Sequence, residues 1–199
     1  MPWPKERKGK TRQRIVQTAA SAFRKQGIAD VGIAELMKRA GLTHGGFYAH
    51  FSSKEDLLAE ALALASKQVS ATLRETANNQ PPSSALLSIA DTYLSTKHLQ
   101  HPEAGCPVAA LGPELARSTA NVRQTLANGI RGRLQALLDF VPDDLTATER
   151  RQVAAGVLAC MVGGLILARG LPESEALQLL GDCRSFLGQR LDHRRGPRK

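Results

Sequence analysis

Residues 33–51, IAELMKRAGLTHGGFYAHF, restrict what this chain can fold into more than any other stretch. Leu36, Met37 and Ala40 alternate with Lys38 and Arg39, so a short helix with one packed face and one charged face is expected. Gly41 turns the chain sharply after it, because glycine alone takes positive φ without a steric penalty. Thr43 is a good N-cap for a second short helix, which carries Phe47, Tyr48 and His50. Two short helices about a glycine turn form a unit whose second helix can enter the major groove of DNA.

The surrounding pattern is helical throughout. Residues 1–9 are basic and Pro-rich and are expected to form an unfolded arm. A first helix is predicted over about Thr11–Gln26, with Ile15, Ala19, Ala22 and Phe23 on one face and Gly27 as its stop. After the helices near 33–40 and 43–50, Ser52 and Glu55 suggest a capping box for a helix reaching about Ala77. Further helices are expected over about Ala85–Lys97, from Pro107 with an interruption at Gly112-Pro113, over about Asn121–Leu138, from Thr146 to about Arg169, and from Pro172 to about Leu191. Thr146 and Glu149 form a second capping box. The expected fold is all-α: a three-helix head followed by a helical body, about nine helices in all, divided as residues 8–68 and 69–199.

Charge separates the two parts. The formal net charge is +9, of which residues 1–54 hold +8, residues 55–189 hold −3 and residues 190–199 hold +4. A basic end on a mildly acidic body suits a polyanion at the head. The three cysteines, Cys106, Cys160 and Cys183, lack metal-ligand spacing, and an odd count points to a reducing compartment. The N-terminus shows no apolar signal core, so a cytoplasmic location is expected. The apolar run over 153–168 is shorter than the ~20 residues of a membrane span, so it reads as a buried helix. No cofactor or metal site is expected.

The residues expected at DNA are Gly32, Thr43, His44, Gly45, Gly46, Tyr48, His50 and Lys54. The N-terminus at Thr43 would present free amides to the groove. Gly45 and Gly46 would let the helix approach bases closely, Tyr48 would place a hydroxyl on phosphate, and Lys54 would reach backbone phosphate.

These residues resemble the head of TetR-family (TetR/AcrR-type) transcriptional repressors. Ala40, Gly41, Leu42 and Thr43 match that family's turn, Gly45, Phe47, Tyr48, His50 and Phe51 its following helix, and Ser53, Lys54, Glu55 and Leu57 the start of the next. The chain departs from the pattern at Gly32, where the family usually has Ser or Thr. It departs again at Gly46, often Thr or Ser, and at His44, often Lys or Arg. The resemblance implies a homodimer that binds double-stranded DNA, is released by a small molecule, and pairs through its last two helices. A two-fold dimer puts its recognition helices roughly 34–36 Å apart, so the operator would be pseudo-palindromic.

In the body, Gly156, Ala159, Gly163 and Gly164 would allow close helix approach at a dimer seam, with intramolecular core as the alternative. Tyr93, His98, His101, Leu111, Phe140 and Met161 are candidate lining for an inducer cavity, and each taken alone also fits core or surface. Cys106, between Gly105 and Pro107 at a predicted helix start, is either a small buried hydrophobe or a thiol that senses oxidants or electrophiles. A TetR-like activator and, much less favoured, a cysteine-dependent enzyme are the alternatives to a repressor. No nucleophile–base motif supports the enzyme.

Overall fold

Helix runs through most of the chain because Ala and Leu dominate it while aromatics make up only 4%. The computed structural model describes residues 5–192. Nine α-helices are present among the described residues: α1 Lys5–Gln26, α2 Ile33–Arg39, α3 Lys54–Asn78, α4 Ala85–Tyr93, α5 Thr96–Gln100, α6 Pro107–Ala116, α7 Ala120–Leu138, α8 Ala147–Ala168 and α9 Glu173–Asp192. Two short 3-10 segments, His44–Ala49 and Pro102–Ala104, complete the order, and no strand occurs among those residues.

The chain forms two compact units. One contains residues 1–68 and 102–129, the other residues 69–101 and 130–199. In the first, Ile15, Ala19 and Phe23 of α1, Leu36 and Met37 of α2, Phe47 and Phe51, and Leu57 and Leu62 of α3 share one core. Leu111 and Leu115 of α6 and Val122 of α7 join that same core. In the second unit Ile89, Tyr93, Leu94, Leu137, Met161, Leu165, Leu180 and Leu187 are buried.

Several local expectations change. Helix α1 starts at Lys5, so the arm expected over 1–9 is helical from that point, and residues 1–4 lie outside the described residues. The cap of α3 is shifted by one: the Ser53 hydroxyl accepts from the Asp56 amide at 3.1 Å, and Ser52 bonds the Asp56 carboxylate. Helix α6 runs through Pro113 rather than stopping at it. The helix expected over 85–97 breaks after Tyr93, because Ser95 takes an extended conformation and caps α5 by accepting from the His98 amide at 3.2 Å. The carbonyls orphaned at that break are recovered by side chains. His98 Nδ1 donates to the Tyr93 oxygen at 2.7 Å, and Arg184 donates to the Leu94 oxygen at 2.8 Å. The capping box at Thr146 and Glu149 forms as expected.

Helix α8 is the one described helix long and apolar enough to cross a membrane by length and composition. It packs on α9 and α4 within the second unit. Its apolar residues divide between a buried set, including Val153, Val157, Met161 and Leu165, and an exposed set, including Ile166 and Leu167. An apolar helix of this kind needs cover on both faces.

Candidate nucleic-acid interface

The candidate surface begins at the α1–α2 connection. Gly27 closes α1 with φ +88°, and Gly41 closes the turn after α2 with φ +66°. Both are left-handed positions that exclude a β-carbon at little cost only for glycine. The peptide of Ile28 is held from two sides. Its amide donates to the Glu114 carboxylate of α6 at 2.9 Å, and its carbonyl accepts from Lys54 Nζ of α3 at 2.6 Å. These bonds fix where α2 starts, and therefore where the segment after it points.

That segment, His44–Ala49, is a 3-10 helix rather than an α-helix. Its bonds run three residues apart, from the Gly46 amide to the Thr43 oxygen at 3.1 Å and from the His50 amide to the Phe47 oxygen at 2.9 Å. Two consecutive glycines give little helix propensity, and a run this short gains few bonds, so the tighter winding is accessible. Phe47 anchors it. Its ring is fully buried, stacks on Phe51 with centroids 5.6 Å apart, and meets Tyr48 edge-on at 5.2 Å. The guanidinium of Arg12 covers the Phe51 ring at 4.5 Å and also pairs with Glu60.

With Phe47 as the inward anchor, the opposite side faces solvent. Thr43, His44, Gly45 and Tyr48 are exposed, and Tyr48 is 65% exposed although it is a large aromatic. Thr43 stands at the N-cap position, but its hydroxyl makes no cap bond. Gly32 caps α2 with φ −81° and ψ 151°, also exposed and without a side-chain bond. Gly46 and His50 are half-buried. The His50 ring is held below the usual histidine range by burial first and then by Lys8 and Arg12, so it stays neutral near pH 7. Lys54 is half-buried, with its ammonium on the Ile28 carbonyl.

The glycines at 45 and 46 are informative because the fold does not require them. Neither has positive φ. A β-carbon at Gly45 would meet nothing within 4 Å, and one at Gly46 would make ordinary contacts of 3.6 Å with Met37 and Thr43.

Residues 15–61 match the family described as bacterial regulatory proteins, tetR family. The transcriptional regulator AcrR of Shigella flexneri is 35% identical over 65 residues, which is 33% of this chain and 30% of AcrR. An uncharacterized helix-turn-helix regulator of Mycobacterium tuberculosis is 25% identical over 179 residues, 85% of this chain and 89% of that one. The crystal structure of a TetR regulator from Chloroflexus aurantiacus superposes with a TM-score of 0.78 at 23% identity, covering 94% of this chain and 96% of that one. Residues 15–61 therefore carry a tetR-family head. The relatives named here are transcriptional regulators, and the all-helical architecture is that of the solved structure on which this chain superposes.

The inducer candidates are divided between the two units. Cys106 and Leu111 are buried in the first unit, and the other five belong to the second. Tyr93 and His98 meet edge-on at 4.5 Å, where His98 bonds the broken end of α4. His101 is exposed and Met161 fully buried. Phe140 instead lines an apolar cavity of about 140 Å³ with Leu86, Leu87, Pro142 and Val153. Cys106 is fully buried, so the exposed thiol considered from sequence is not what the fold presents. Its neighbourhood is nonetheless polar. Arg24, 7% exposed, donates to the Ala20 oxygen at 2.8 Å and to the Gly105 oxygen at 2.7 Å, and burial holds its guanidinium below the usual arginine range.

Sequence reasoning did not single out Arg24 or Glu114. Their partners lie 81 and 86 residues away, and no periodicity or motif links such positions.

Proposed function

We propose that this chain is a homodimeric, sequence-specific repressor that leaves a pseudo-palindromic operator when a small molecule, electrophile or oxidant acts on it. The observation that carries the DNA reading is the exposed face of Thr43, His44, Gly45 and Tyr48, held by a buried Phe47 and built with a glycine that the fold does not need. A surface that keeps Gly45 without internal cause is one shaped by an outside body that comes close. Tyr48 and Lys54 then anchor phosphate, His44 faces base edges, and Thr43, Gly32, Gly46 and His50 support the approach.

The dimer reading rests on α8 and α9. Of the six large hydrophobic side chains exposed among the described residues, five lie on or between these helices: Ile166, Leu167, Leu171, Leu177 and Phe186. A second copy would cover that face, and its two-fold axis would repeat the head at the spacing of successive major grooves. For release, the buried Cys106 supports an electrophile that enters by local opening. Such regulators work in the cytoplasm.

In vitro selection of duplexes with the full chain, followed by competition against random DNA at matched salt, tests the reading. Enrichment of a two-fold symmetric site supports it. Equal retention of all sequences refutes base readout. Leu167→Glu should convert the dimer to a monomer by sedimentation, and wild-type sedimentation as a monomer would end the dimer reading. N-ethylmaleimide or diamide should weaken operator binding, and a Cys106→Ser chain that responds equally rules out Cys106 as the sensor.

A further inference from the structure

Two of the three cysteines meet across the α8–α9 seam. Cys160 of α8 and Cys183 of α9 are both half-buried, and neither is engaged in a disulfide. The Cys160 thiol points at Cys183, with its sulfur 3.9 Å from the Cys183 carbonyl oxygen. Gly164, one turn along α8, makes room for the second sulfur. A β-carbon there would fall 2.9 Å from Cys183 Sγ and 3.2 Å from Leu94. Any larger residue would therefore displace the thiol.

We propose that Cys160 and Cys183 form a dithiol site that captures a trivalent arsenical by chelation, bridging α8 to α9. The two cysteines sit on separate packed helices, 23 residues apart in sequence, so one atom bound by both would bridge α8 to α9. Among the described residues no group of three His, Cys, Asp or Glu could hold a metal ion. Zinc, which needs four ligands in structural sites, is poorly served by such a pair. An arsenic atom that already carries one carbon is completed by two sulfurs. With an arsenoxide, R–As=O, two As–S bonds form, the As=O bond breaks, and the oxygen leaves as water with the two thiol protons. No oxidant or reductant enters.

The setting favours two-point over one-point chemistry. Burial first, and then Cys183, push the Cys160 thiol up to about 11, so it stays protonated at neutral pH and reacts slowly with reagents that take a single thiolate. Once one sulfur is bonded, the second bond is intramolecular, and such linkage raises binding by ~100-fold or more over a single contact. The site uses only the second unit and does not depend on the DNA reading.

Phenylarsine oxide and the full-length protein provide the test. One arsenic per chain by intact mass, removed by dithiothreitol but retained in excess 2-mercaptoethanol, is expected. Cys106→Ser should bind identically. Cys160→Ser and Cys183→Ser should each release the arsenical to 2-mercaptoethanol, with capture weakened ~100-fold. Gly164→Ala should weaken capture in the same direction by moving Cys183. To keep the test independent of how seam variants fold, the wild-type adduct is also alkylated with N-ethylmaleimide in denaturant and mapped. Label at Cys106 alone supports the site. Label at Cys160 or Cys183 in the adduct, or dithiol-dependent retention that survives Cys183→Ser, overturns it.

Discussion

Replacing Gly45 with Ala separates folding from DNA recognition more cleanly than any other change in the head. The added β-carbon meets no atom within 4 Å, and Gly45 is not at a positive φ, so no strain arises. Alanine also loses less backbone entropy than glycine in a helical turn, a gain of up to about 1 kcal/mol. The variant should therefore melt at the wild-type temperature or slightly above, a rise of about 2–4 °C for each kcal/mol in a chain of this size. On the proposed interface the same methyl group would stand between the segment and the bases. Loss of close approach should remove about the value of one base contact, 1–3 kcal/mol. That corresponds to an affinity roughly 5- to 150-fold weaker at 1.4 kcal/mol per decade. Fluorescence anisotropy on the selected operator, with a random duplex in parallel at the same salt, reads both specific and non-specific binding. The specific term should fall while the non-specific term, carried by phosphate, changes little. Unchanged operator affinity in a variant with an intact melt would refute the argument that outside contact explains this glycine.

Three further outcomes are expected. Glu114→Ala leaves the Ile28 amide without its carboxylate at a partly buried site, and should lower unfolding free energy by about 1–3 kcal/mol, read by urea denaturation, with operator binding weakened in parallel; an unchanged midpoint would show that water replaces the carboxylate without loss. Gly32→Ser places a hydroxyl at an N-cap with φ −81° and open space around it, and should stabilise the chain by roughly a few tenths of a kcal/mol, visible as a small rise in melting temperature. His50 has a depressed folded value, so on acidification the unfolded chain takes up the proton first; stability present above about pH 6.5 should be lost as pH falls below it, and His50→Gln should flatten that part of a melting-temperature profile from pH 7 to 5.

Much of the head was legible because its signals are local. Gly41 had to turn, and Phe47 finds Phe51 only four residues on; in the body, Thr146 and Glu149 cap α8 across three residues for the same reason. The same proximity explains two errors. Ser52 and Ser53 are adjacent and equally able to cap, and only packing of α3 selects Ser53 with Asp56. Ser95 sits inside a run of good helical periodicity, so the break at Leu94 depends on Arg184 and His98 arriving to bond the freed carbonyls. Pro113 was expected to interrupt α6, but the helix continues through it, with Leu111 and Leu115 on either side buried in the core of the first unit. The winding of residues 44–49 was out of reach for a different reason. Propensity speaks to whether a turn forms, and not to whether it closes after three residues or four.

The bond from Glu114 to the Ile28 amide, together with Leu111, Leu115 and Val122 in the same core, has a consequence for how this molecule is made. As the polypeptide leaves the ribosome, the first 68 residues emerge well before the pieces that finish their interior. The head is therefore finished only after residues near 111–122 have emerged, and a severed N-terminal fragment would carry its exposed 43–48 face on an unfinished foundation.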